Sequence, residues 1–180
     1  RVFVKNGFRE SPNTAVHILL DSSGSMTDSG LMLANAVCYA VGKALQGISG
    51  VNLGITAFPG ANRAKRGTTV APVLRHGEKL TARFPEIAYG MTPMAESLWW
   101  VMQQMCLLRE NRKIILIITD GEPDSIPAAQ EAFKQAQKKG FECYGLGIMC
   151  SNIATLLSYA SRVIETFPQL APALFGLLEG

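Results

Sequence analysis

Residues Ile114-Ile115-Leu116-Ile117-Ile118 form an unbroken apolar run, opened by Lys113 and closed by Thr119-Asp120-Gly121. A strand with one wet face alternates apolar and polar residues, whereas a strand covered on both faces is apolar throughout. Two further segments have the same character: Ala15–Leu20, and Val51–Phe58, which Pro59-Gly60 ends. A sheet with such strands at its centre needs a layer of helices on each side. The rest of the chain supplies them. Leu31, Ala34, Cys38, Val41, Leu45 and Ile48 recur at helical spacing, so a helix is expected over about 31–48, closed by Gly47 and Gly50. Helices are also expected over about 93–108 and 126–139, the latter closed by Gly140.

The remaining strands are Thr68–Leu74, which Pro72 confines to a sheet edge, Phe141–Ile148, and Arg162–Thr166. Short helices are expected over 151–160 and 170–178. Alternating apolar strands and amphipathic helices indicate an α/β fold, a three-layer sandwich around a mostly parallel, doubly wound sheet. With 180 residues, 48% of them hydrophobic, the chain can bury one sizeable core region, so one domain is expected over 15–180. Residues 1–14 read as a lead-in segment or strand extension. Arg1 in place of an initiator Met leads us to expect a piece of a longer chain. The net charge of +3 does not point to a nucleic-acid partner. No apolar run approaches the ~20 residues of a membrane span. Cys38, Cys106, Cys143 and Cys150 lie in or beside apolar runs and form no C-x-x-C pair. They read as buried free thiols, which favours a reducing, cytoplasmic setting; a Cys143–Cys150 disulfide stays open.

In open parallel sheets, ligands sit at the carboxyl ends of strands, where the strand order reverses. Three polar segments are expected there. Asp21-Ser22-Ser23-Gly24-Ser25 follows the first strand, Thr92 precedes a helix, and Asp120 closes the Ile114–Ile118 strand. Taken singly they are ordinary: a polar turn, a helix cap before Pro93, and an Asp-Gly turn. Taken together, Asp21, Ser23, Ser25, Thr92 and Asp120 offer two carboxylates and three hydroxyls, the hard oxygen donors that Mg²⁺ selects. Mg²⁺ takes about six oxygens, so five side chains leave a position open. Two carboxylates formally cancel the ion's charge, and the open position would favour an Asp or Glu from a partner.

Those five residues, with Gly90-Met91-Thr92-Pro93-Met94 and Thr119-Asp120-Gly121 around them, resemble the metal-ion-dependent adhesion site of von Willebrand factor A (vWA) domains. The resemblance spans about residues 15–178. It implies a Rossmann-like sheet of strand order 3-2-1-4-5-6, with strand 3 antiparallel at the edge. It implies Asp21, Ser23 and Ser25 as direct ligands, and Thr92 and Asp120 as direct or water-bridged ligands, of Mg²⁺, Mn²⁺ or Ca²⁺. The Ser-Gly-Ser-Met and Thr-Asp-Gly-Glu-Pro-Asp runs look most like intracellular bacterial members, those of cobaltochelatase subunits and partners of AAA+ ATPases.

Outside the five, Glu122 and Asp124 read as a solvated loop, or as groups that orient metal-bound water. Arg63, Lys65 and Arg66 read as a solvated loop, or as a basic patch that steers an acidic partner. On the 93–108 helix, Met94, Leu98, Val101, Met105 and Leu108 form a core stripe that Trp99 flanks; Trp100 shares the other side with Glu96, Gln103 and Leu107 and is either a candidate interface residue or packed under a neighbouring segment. His17 and His76 read as structural or solvent-facing. Two functions compete. One is a non-enzymatic, metal-dependent protein-binding module, with an ATPase or chelatase subunit among the partners. The alternative is a metal-dependent hydrolase or phosphotransferase using Asp21, but Ser23 stands where a dehalogenase-type enzyme needs a second Asp. No G-x-x-x-x-G-K phosphate loop is present either.

Overall fold

The first apolar segment becomes β1 (Thr14–Asp21), buried along its whole length. It is parallel to β2 (Val51–Phe58) on one side and to β4 (Arg112–Thr119) on the other. The computed structural model describes residues 13–60, 69–81, 83–158 and 160–173. Beyond β2 lies β3 (Ala71–Leu74), antiparallel to it. Beyond β4 lie β5 (Phe141–Ile148) and β6 (Ser161–Ile164), both parallel. The order β3-β2-β1-β4-β5-β6 is the one the resemblance implied, with the antiparallel strand at the edge.

Side chains alternate across a strand, and here the two faces of β1 enter two separate cores. Val16, Ile18 and Leu20 pack with Leu31, Ala34, Val37, Cys38 and Val41 of α1 (Asp28–Gln46). Ala15 and Leu19 pack with Leu98, Val101 and Met105 of α2 (Met94–Cys106), and with Ala132, Phe133 and Ala136 of α3 (Ile126–Lys138). This is the three-layer sandwich. From β1 the chain passes outward to β2 and β3, then returns through α2 to β4 on the other side of β1. The strand order therefore reverses between β1 and β4, which opens a crevice at their carboxyl ends.

Several boundaries differ from expectation, each for a local reason. Helix α1 starts at Asp28, three residues before the apolar period begins, because the Thr27 hydroxyl accepts from the Gly30 N–H and caps it. Strand β3 is confined to Ala71–Leu74, and β6 begins one residue earlier and ends sooner than expected. A short 3-10 turn at Asn152–Thr155 takes the place of the 151–160 helix. Residues 170–173 are helical; the rest of the expected terminal helix lies outside the described residues, as does nearly all of the 1–14 lead-in.

Of the two readings of Trp100, the packing one holds. Trp99 is 39% exposed, while Trp100 is half-buried against the core of α2 and α3. The flank of α2 that bears Trp100 also bears Ser97, whose hydroxyl donates to the Pro93 carbonyl at 2.7 Å and lies 3.4 Å from the Thr69 carbonyl, and Val70 packs on the same core. The segment entering β3 thus lies along that flank, and Trp100 is a packing residue. All four cysteines are free, so the Cys143–Cys150 pair is not made. Cys38 and Cys143 are buried as expected, but Cys106 is exposed at the end of α2 and Cys150 is half-buried. No helix among the described residues is long and apolar enough to cross a membrane.

Candidate metal centre

Asp21 is the last residue of β1 and is fully buried. Leu20 is paired with Ile118, so Asp21 lies beside Thr119, the last residue of β4. The Thr119 hydroxyl donates to Asp21 Oδ2, and the Ser23 N–H donates to Oδ1 at 2.8 Å. Thr119 Oγ1 in turn accepts from the Gly121 N–H at 3.1 Å. One threonine thereby fixes both the first carboxylate and the turn that carries Asp120. It reads from sequence as a strand residue, and its only signal is its place directly before Asp120-Gly121.

From Asp21 the chain turns over the sheet edge. Ser22 anchors the turn: its N–H donates to the Phe58 carbonyl at 2.8 Å, and its hydroxyl reaches the carbonyls of Phe58 and Pro59. Ser23 Oγ and Ser25 Oγ are 3.0 Å apart, and Ser25 Oγ donates to Asp120 Oδ1 at 3.0 Å. Since Ser25 spends its one proton on Asp120, Ser23 is the donor in the first of these. The two serine protons thus run in one direction, from Ser23 to Ser25 to Asp120, and lone pairs on Ser23 Oγ remain available. The next turn lies close by: the Gly24 N–H donates to the Gly90 carbonyl at 3.0 Å. A Cβ at Gly24 would come within 3.1 Å of that same oxygen, tighter than ordinary contact.

Thr92 is buried and is clamped to the loop after β4 from both sides. Its N–H donates to Asp124 Oδ1 at 2.8 Å, and the Asp124 N–H donates to the Thr92 carbonyl at 3.0 Å. Asp124 therefore acts by tying the segment of Thr92 to the segment of Asp120. Glu122 is exposed on the same loop. The structure thus gathers Asp21, Ser23, Ser25 and Asp120 through direct hydrogen bonds, brings Thr92 to them through Asp124, and leaves Trp100 out. Arg63, Lys65 and Arg66 lie outside the described residues.

The electrostatics are those of a site short of positive charge. Burial pushes the Asp21 carboxyl up to about 6, against the hydrogen bonds from Thr119 and Ser23, and the nearby Asp120 adds to the rise. Burial also raises Asp120, against the Ser25 hydrogen bond. Among the described residues no basic side chain is paired with either carboxylate. Nor does any group of three or more His, Cys, Asp and Glu that could hold a metal occur among them. With only two carboxylates here, a cation would depend on the serine and threonine oxygens as well. Such a donor set suits a hard ion.

A second polar cluster, away from this edge, was not legible in the sequence. His17 is buried in β1. Its Nε2 is 2.8 Å from the Thr56 hydroxyl, and its Nδ1 is 3.0 Å from Nε2 of His76. His76 Nδ1 faces Asn52 Oδ1 at 3.3 Å, and Asn52 Nδ2 donates to Glu110 at 2.7 Å. Both histidines are structural, as expected, but they are one unit rather than two. A Cβ at Gly54 would come within 2.5 Å of His76 Nε2 and 2.7 Å of His17 Nδ1, so the pair depends on that glycine.

The family model described as the von Willebrand factor type A domain matches residues 15–165. No curated protein sequence matches the chain. Among solved structures, the manganese-loaded TRAP protein of Plasmodium vivax is similar over 93% of this chain and 74% of its own, at 13% identity and a TM-score of 0.69. Proximal thread matrix protein 1 of the mussel byssus, solved with a zinc-occupied MIDAS motif, is similar over 93% of this chain at 14% identity and a TM-score of 0.70. This chain covers only 48% of the mussel protein's structure. BatB of Bacteroides thetaiotaomicron matches over 92% of this chain and 97% of its own, at 16% identity and a TM-score of 0.63. At these identities the shared property is the fold.

Proposed function

This chain belongs to the von Willebrand factor type A domain family, and from that premise we propose that it is a metal-dependent protein-binding module. Asp21, Ser23, Ser25, Thr92 and Asp120 would hold a divalent cation, Mg²⁺ or Mn²⁺ before Ca²⁺. The bound ion supplies an open coordination position to a partner's Asp or Glu. The observation that carries this is the buried Asp21, hydrogen-bonded on both oxygens and close to Asp120, with no basic side chain among the described residues paired with either. A divalent cation is what such a pair of carboxylates lacks. The manganese and zinc held by the two structural relatives support the same reading.

The alternative of hydrolysis through Asp21 has no support in the geometry. Both Asp21 oxygens accept hydrogen bonds from Ser23 and Thr119. No histidine or lysine among the described residues is hydrogen-bonded to it as a base. The finer placement, beside cobaltochelatase subunits and AAA+ ATPase partners in the cytoplasm, belongs to the same proposal; it draws on the Ser-Gly-Ser-Met and Thr-Asp-Gly-Glu-Pro-Asp runs and on the four free thiols. Titration calorimetry with Mn²⁺ and Mg²⁺ tests the site. The parent chain should take up one ion, and Asp21→Ala and Asp120→Ala should each lose it while keeping the far-ultraviolet spectrum of the parent. Uptake undiminished in both variants would remove the site assignment.

A further inference from the structure

The segment that delivers Thr92 has an unusual surface. Ile87, Tyr89 and Met91 are 58%, 63% and 70% exposed. Between and after them, Ala88 packs against the core under α1, and Thr92 is buried. The inward positions of this stretch anchor it, and its outward positions carry three large apolar side chains within five residues. The backbone is held on both sides. Tyr89 N–H donates to the Ser22 carbonyl at 2.9 Å, the Gly90 carbonyl accepts from Gly24, and Thr92 is clamped to Asp124. Single exposed apolar residues are ordinary, but a fixed run of them beside a polar centre marks an interaction surface.

Acidic groups also border the centre. Asp28 in the first turn of α1, and Glu122 and Asp124 after β4, are all exposed. A partner lying over the centre meets both the apolar strip and exposed acidic groups, with Asp124 held against the strip's end at Thr92.

We propose that Ile87, Tyr89 and Met91 form the specificity surface of the metal centre, and that the partner they fit is a segment with a single Asp or Glu next to a large apolar residue. This rests on the coordination reading above, which calls for one partner carboxylate and leaves its surroundings open. Further acids on the partner would face Asp28, Glu122 and Asp124 and be repelled, so an acidic tract is selected against. An apolar neighbour on the side of the strip would cover Tyr89 and Met91. Because the strip's backbone is already tied down, covering it costs little ordering.

The test uses a displayed peptide library with one fixed Glu and randomised flanks, panned on the Mn²⁺-loaded chain and eluted with chelator. The recovered peptides should be rich in Leu, Ile, Met or aromatic residues beside the Glu and poor in further acids. A synthetic peptide of that sequence should bind the Tyr89→Ser/Met91→Ser variant about tenfold more weakly or worse, with Mn²⁺ uptake unchanged. Recovered peptides without that apolar enrichment, or equal binding to the variant, would overturn the partner assignment alone. Absence of Mn²⁺ uptake by the parent would overturn the coordination reading, and this proposal with it.

Discussion

Asp21 combines two demands that pull against each other. As a buried carboxylate its ionised form is costly, and as a ligand it must be ionised. Its carboxyl, raised to about 6, lies above the ordinary value of 3.8. Without metal, the folded state therefore binds the proton more tightly than the unfolded chain. The resulting penalty is absent below about pH 3.8, grows as the pH rises, and is complete above about 6, where it amounts to about 3 kcal/mol. Asp21→Asn removes that charge and keeps the acceptor for the Ser23 N–H, although its amide meets the Thr119 hydroxyl as a donor. At pH 7.5 in chelator, urea unfolding should find Asp21→Asn no less stable than the parent, and in saturating Mn²⁺ clearly less stable. A variant destabilised equally in both conditions would make Asp21 a purely structural residue. The candidate ligands are legible in sequence because hard oxygen donors at strand ends stand out against apolar strands. Thr119 is not, because a hydroxyl inside a strand has no pattern that separates a partner of Asp21 from a residue facing its neighbours. Trp100 shows the same limit. It lies on the side of the helix away from the core stripe, and only the segment at Thr69–Val70, distant in sequence, decides that it is covered.

At the scale of elements, β1, β2 and the turn after β3 are joined by one hydrogen-bonded chain. Asn52 Nδ2 donates to Glu110, so Asn52 Oδ1 faces His76 Nδ1, which must carry a proton. With neutral rings, His17 Nδ1–H then donates to His76 Nε2, and Thr56 donates to His17 Nε2. The facing nitrogens His17 Nδ1 and His76 Nε2 can hold only one proton between them, so their bond is lost if both rings are protonated. Burial, with His76 adding to it, lowers His17 from 6.5 to about 3, and burial lowers His76 as well. The unfolded chain takes up these protons below about pH 6.5, and the folded chain resists. Stability is thus fully present above about 6.5 and is lost as the pH falls toward 3, by up to about 1.4 kcal/mol per pH unit for His17, with His76 acting in the same direction. Asp21 acts in the opposite sense over part of that range, so the measurement is a difference. In chelator, parent and His17→Gln are each unfolded in urea from pH 7.5 to 4.5. The parent should lose more stability on acidification than the variant; parallel curves would mean that His17 titrates in the folded state as it does in the unfolded one. The strands themselves were legible because burial on both faces leaves a continuous apolar trace. The starts of helices were less so: α1 begins at Asp28, where capping by Thr27 decides and no apolar period has yet begun. The histidine pair was hidden because its members lie 59 residues apart and meet only through the β2–β3 pairing.

The whole molecule brings together segments that the unfolded chain holds far apart. Ser25 and Asp120, 95 residues apart, meet only because β1 and β4 are neighbours. Thr92 joins them only through the return of the chain over α2 and its clamp to Asp124. A cation held by all of these binds the folded state alone, so its binding free energy adds to folding stability. At free metal about 100 times its dissociation constant this amounts to about 2.7 kcal/mol. For a domain of this size each kcal/mol moves the thermal midpoint by about 2–4 °C. Scanning calorimetry in Mn²⁺ should therefore find the midpoint about 5–10 °C above that in chelator, with a shift that grows with the logarithm of metal concentration. Asp120→Ala should abolish the shift without exposing β4, because Ile115, Ile117 and Ile118 remain buried in the sheet. Equal midpoints for the parent in metal and chelator would show that the oxygens at this edge hold each other and no cation. A shift that survives in Asp120→Ala would place the ion elsewhere on the molecule.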